Sequence, residues 1–106
     1  MKKIKEYLKV DSSSKTGLRW IKKPANQVNI GDEAFTTLKS GGYYGGTFNY
    51  KTFNAHQIIM FLEHDKWSNR FTNIHHKDEN KLNNNLSNLE FISRSDHNRI
   101  HLNKNK

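Results

Sequence analysis

The chain contains no cysteine. That excludes disulfide staples and thiolate zinc sites, so any metal would be held by His, Asp, Glu or Asn, a donor set that suits many divalent ions. It also lacks a long hydrophobic run: the longest, Ile58 to Leu62, is far short of the ~20 residues that span a bilayer. The basic start Met1-Lys2-Lys3 leads to Glu6 and Lys9 rather than to the apolar region of a secretion signal, so the expected compartment is the cytoplasm. Hydrophobic residues make up only 33% of 106 residues, and mean hydropathy is -0.98. A single small domain with a thin core is implied, to which a bound metal tying two segments together would add stability. Acidic residues are scarce as well, 10 against 18 Lys and Arg, giving a formal charge of +8 and a pI near 9.8. Such an excess favours a polyanionic partner, nucleic acid ahead of an anionic membrane.

What is present is ordered along the chain. Residues 1–16 read as an N-terminal extension or loop, with one helical turn around Ile4, Tyr7 and Leu8 and then a serine-rich stretch. Residues 17–72 read as a β-rich lobe with a helix. Leu18, Trp20 and Ile21 suggest a strand that Pro24 ends, and Val28-Asn29-Ile30 a further short strand. From Gly41 to Phe53, aromatic residues alternate with polar ones after paired glycines, which predicts a half-buried hairpin. Ala55 to Glu63 then reads as a helix capped by Asn54, with Ile58, Ile59, Phe61 and Leu62 on its core side.

Residues 73–102 carry the chemistry, and 103–106 form a frayed tail. Ile74 anchors a short strand, Asp78 to Asn85 form a polar loop, and Glu90-Phe91-Ile92 make the returning strand. Ser93 and Asp96 open a final basic helix in an S-x-x-D pattern. Within this stretch His76, Asn88 and His97 stand at the spacing H-x11-N-x8-H, with His75 directly before the first. A neutral imidazole can activate water near pH 7, and histidine pairs can hold a divalent cation.

The run IHHKDENKLNNNLSNLEFISRSDHNRIH resembles the core of the HNH nucleases, the ββα-metal group, with Asn83-Asn84, Asn88-Leu89 and Ser93-Arg94-Ser95-Asp96 where that family has them. Glu79 stands where many members carry glycine. The upstream lobe is similar to the part preceding the core in small phage HNH endonucleases. The resemblance implies an α+β fold, a ββα-metal core preceded by a small β-rich lobe and a helix. It implies a metal-dependent DNA endonuclease leaving 5′-phosphate and 3′-hydroxyl ends, such as a phage homing endonuclease or a nickase, acting as monomer or homodimer in the host cell cytoplasm. His76 becomes the general base and Asn88 the residue whose amide closes the loop and fixes that base. His75 and His97 become ligands of Mg²⁺, with Mn²⁺, Ni²⁺ or Zn²⁺ tolerated. Arg94 and Arg99 become phosphate contacts, and His101 a phosphate contact ahead of a third ligand.

Lys22, Lys23 and Lys51 are candidates for a DNA track, with sequence preference placed around Trp20, Lys22 and Lys51, although Trp20 and the Tyr43, Tyr44 and Phe48 group also suit a core. His56 and His64 read as structural or solvated. Two other readings stay open: a catalytically silent HNH-like DNA-binding protein, and a zinc-stabilised nucleic-acid-binding module built on His75, His97 and His101.

Overall fold

The computed structural model describes residues 2–69, 71–93 and 95. Its architecture is α+β, with two helices and three small antiparallel sheets among the described residues. Residues 1–16 hold more structure than a loop. A single turn α1 (Ile4–Tyr7) leads into β1 (Leu8–Val10), which pairs antiparallel with β2 (Leu18–Trp20), Leu8 opposite Trp20. Tyr7 and Leu8 are buried, so this segment supplies core.

Ile21 lies outside β2 and is exposed. The strand expected at Val28-Asn29-Ile30 is absent; these residues form a turn instead, closed by Asp32 N–H on Asn29 O at 3.1 Å. The turn returns the chain along β2, where Gly31 N–H reaches Trp20 O at 2.8 Å. A short β3 (Thr37–Leu38) then pairs with β4 (Tyr44–Phe48), which pairs with β5 (Lys51–Asn54). The strands of this second sheet approach closely at Gly45, where a Cβ would stand 2.7 Å from Phe53 O. Only glycine fits there.

Helix α2 (Ala55–His64) follows β5 without a linker. Gln57 reaches back to accept the Asn54 backbone N–H at 2.9 Å, the return half of a capping box. Asp65 ends the helix in the left-handed region, its N–H on Phe61 O at 2.8 Å. Ile58, Ile59 and Met60 are essentially fully buried and meet Leu8, Leu18, Trp20, Phe35 and Phe48 in one core. Each such aliphatic side chain contributes ~1.5–3 kcal/mol by leaving water, and this cluster holds the first two sheets against α2. Phe61 and Leu62, expected to face the core, are half-buried. Phe61 stacks on Trp67 at 4.2 Å, with Phe53 on that indole at 5.4 Å.

The third sheet is the hairpin β6 (Thr72–His76) and β7 (Leu89–Ser93), joined through a 3-10 turn at Leu86–Asn88. Its register sets Ile74 against Phe91, His75 against Glu90 and His76 against Leu89. Cross-strand partners share a face, so Ile74, His76, Leu89 and Phe91 face the core while His75 and Glu90 leave the other side. Ser93, the expected helix entry, is the last residue of β7, and Arg94, His97, Arg99 and His101 of the expected final helix lie outside the described residues. No helix among the described residues is long and apolar enough to cross a membrane.

Candidate active site in the β6–β7 hairpin

The loop between β6 and β7, residues 77–88, is mostly polar, packs on the core through Leu86, and must satisfy its backbone locally. Asn88 does most of this. Its Oδ1 accepts the Asp78 N–H at 3.0 Å, and its Nδ2 donates to Asn83 O at 2.9 Å and to Asp78 Oδ1 at 3.0 Å. The Asn88 carbonyl takes the Lys77 N–H at 2.8 Å. Asp78 in turn binds the Asn80 N–H and the Asn83 amide, both at 2.8 Å. These bonds, led by the Asn83 amide, hold the Asp78 carboxyl below its usual pKa. The loop also turns through Glu79 at φ 64, the left-handed conformation for which glycine is the ready choice.

His76, at the loop's foot, is only 5% exposed. Its Nε2 lies 2.9 Å from Asn84 Oδ1, and the Asn84 Nδ2 donates to Thr16 O at 3.0 Å. The Thr16 carbonyl can only accept, so the amide nitrogen of Asn84 must face it and the amide oxygen must face the imidazole. His76 therefore carries its proton on Nε2 and keeps the lone pair on Nδ1. Burial lowers the His76 pKa, against smaller opposing effects from the Asn84 bond and the Asp78 charge. The ring is thus neutral at pH 7, in one tautomer, with a nitrogen able to take a proton.

Two more rings complete the enclosure. Tyr43 lies 5.8 Å and His56 5.0 Å from the His76 ring, and Tyr43 and His56 are 4.9 Å apart. Lys81 sits over Tyr43 at 5.2 Å and bonds Gly41 O at 2.9 Å. His56 is buried, and its Nδ1 has no hydrogen-bond partner among the described residues. Burial first, then the neighbouring His76, pushes its pKa down to about 4.

His75, next to the base candidate, is half-buried and opposite Glu90 on the other face of the hairpin. An imidazole and a carboxylate leaving one face are a donor pair that first-row divalent ions accept as readily as Mg²⁺. Among the described residues no group of three or more His, Asp or Glu side chains forms a cation cage. The expected second ligand, His97, lies beyond them. Fit to a metal is therefore limited here to the chemistry of His75 and Glu90.

The remaining candidates are dispersed. Lys22, Lys23 and Lys51 are exposed, with Lys22 5.0 Å from the Tyr7 ring. Trp20 is buried against Phe35 and Phe48, which removes it as a reader of bases. Phe48 is core as well, while Tyr43 lines the His76 cluster. His64 is exposed and meets Phe91 edge-on. Sequence reasoning noticed Asn84 only as part of a motif and set His56 aside. The partner that gives Asn84 its meaning, Thr16, is 68 residues away and carries no local signal. No protein-family model, curated protein or solved structure matches the chain.

Proposed function

We propose that the chain is a metal-dependent DNA endonuclease of the HNH type, its β6–β7 hairpin forming the ββ part of a ββα-metal core. The observation that carries this reading is a neutral histidine held in a single tautomer at the foot of a loop closed by Asn88. His76 takes a proton from water through Nδ1, while Asn84 fixes its ring and Asn88 fixes the loop. His75 would hold the cation with His97 from the final segment, and Glu90 is the carboxylate in register with His75. Bound there, a divalent ion supplies charge stabilisation to the phosphoryl oxygens and the leaving oxygen. A chain of charge +8 supplies the attraction for the DNA backbone. One such site cuts one strand at a time, so a single copy nicks and a homodimer could cut both strands.

Plasmid nicking with Mg²⁺ or Mn²⁺, with and without EDTA, tests the reading. Wild type should relax supercoiled plasmid only with metal, and His76→Ala should be slower by ~10²–10⁴ with DNA affinity retained. Nicking by His76→Ala within a few-fold of wild type would refute His76 as the base. The enclosure of His76 favours a second reading, a silent DNA-binding relative. Metal-independent binding with no nicking by wild type would select it.

A further inference from the structure

The β4–β5 hairpin ends in a two-residue turn, Asn49-Tyr50, with Phe48 paired to Lys51. Both turn residues have positive φ, 52 and 63. This is the turn that matches strand twist, and its second position belongs by preference to glycine. Here a tyrosine holds that position, and it is fully exposed at 104%. The side chain packs on nothing that would offset the left-handed backbone, which is unfavourable in a residue with a Cβ. Strain without packing marks a side chain placed for something outside the fold.

The surroundings indicate what that is. Asn49 Nδ2 donates to Lys2 O and so ties the basic N-terminal segment to the turn. A cavity of about 530 Å³ is lined by Lys2, Thr47, Phe48, Asn49 and Tyr50 itself, without an acidic residue. Lys51 follows the turn and is exposed. The neighbouring cavity adds Lys3 and Lys5; of its two acids, Asp65 is ion-paired to Lys5 at 2.6 Å, and the other is Glu6. A flat aromatic ring among cations suits a strand of nucleic acid, whose bases stack on tyrosine while its phosphates meet lysine.

We infer that Tyr50 is a base-stacking residue at the tip of a nucleic-acid contact formed with Lys2, Lys3 and Lys51. The inference rests on the nucleic-acid reading above and not on cleavage. It also fixes a distance. Tyr43, at one end of β4, touches the His76 ring, and Tyr50 follows its other end. The five residues of β4 at ~3.4 Å each put the turn roughly 17 Å or more from the Tyr43 contact with His76.

The test is anisotropy binding of labelled single-stranded and duplex oligonucleotides to the full chain in EDTA, with thermal melts of the same proteins. Tyr50→Gly should melt higher than wild type, because strain is relieved, and bind on the order of tenfold more weakly. Tyr50→Phe should bind within about twofold, since stacking needs the ring rather than the hydroxyl. The inference is overturned if Tyr50→Gly binds like wild type, if it melts no higher, or if the phenylalanine variant loses as much affinity as the glycine variant. Wild type that binds neither oligonucleotide at low salt would instead overturn the nucleic-acid reading, and this inference with it.

Discussion

The two hairpins of this protein solve the same problem in opposite ways. The β4–β5 hairpin closes in two residues, with the Asn49 amide donating to Lys2 O, and leaves an aromatic ring in solvent. The β6–β7 hairpin closes through residues 77–88, and carboxamides and a carboxylate satisfy its backbone while a histidine is enclosed beneath them. A short turn can present a side chain but has no room to hold one. A long polar loop can hold a side chain in one orientation, at the cost of depending on each amide in the network. Presentation and positioning are thus divided between two loops, and the rings of Tyr43 and His76 form an aromatic contact between the two hairpins' chains.

The largest test of that division is at the junction. His56 is the second residue of α2, just past the end of β5, and its ring meets that of His76. Its pKa falls from 6.5 unfolded to about 4 folded, so the unfolded chain binds the extra proton between those values. Stability from its burial is complete above pH 6.5 and is lost as pH falls toward 4. At ~1.36 kcal/mol per pH unit the loss is about 3 kcal/mol. Urea melts from pH 7.5 to 4 should show wild type losing that much more than His56→Phe, because changes from the carboxylates are common to both. Parallel pH profiles would mean that His56 is not a buried neutral link between the hairpins.

Next comes the loop network itself. Asn88→Ala leaves the Asp78 N–H and the Asn83 carbonyl without their partner and should cost about 1–3 kcal/mol. Nicking should fall with it, because the loop above His76 loosens. An unchanged melting temperature with full activity would remove Asn88 from the architecture. The smallest effect is a direct counterpart to Tyr50. Glu79 is the β6–β7 loop's own non-glycine residue in the left-handed region, and Glu79→Gly should stabilise by about 0.5–1 kcal/mol after allowing for glycine's greater unfolded freedom. Unlike Tyr50→Gly, it should not weaken oligonucleotide binding, since it removes a negative charge. Equal loss of affinity in both variants would erase the distinction between a presenting turn and a positioning loop.

How legible each part was follows from where its determinants lie. The β4–β5 hairpin and α2 announce themselves locally, through aromatic alternation after the glycines and through Asn54 ahead of an apolar face. The β6–β7 hairpin is legible from its polar loop between Ile74 and Phe91. Strand β1 was missed because three residues carry little periodicity and its partner is a distant strand. Val28 to Ile30 read as a strand because two β-branched residues flank a polar one, yet the Gly31-Asp32 pair turns the chain there. At the site, the His75-His76 pair and Asn88 stood out by type and spacing. Asn84, Tyr43 and His56 gain their roles only when Thr16 ahead of β2, Tyr43 ahead of β4 and His56 in α2 converge on one imidazole. Tyr50 was hidden by company: among so many aromatics, only its backbone angle and exposure separate it from the core.

The bridge from His76 through Asn84 to Thr16 also bears on transplantation. Gly17, next to that bridge, has φ +85, and a Cβ on it would stand 2.7 Å from Ile59 Cδ1 and 3.1 Å from Asn84 O. Three distant stretches of chain therefore meet at one point with no spare volume. A hairpin excised as residues 72–93 and grafted onto another scaffold would carry its histidine but leave behind the carbonyl that orients Asn84. The unit that can be moved intact is the hairpin together with the Thr16-Gly17 corner and the face of α2 beneath it.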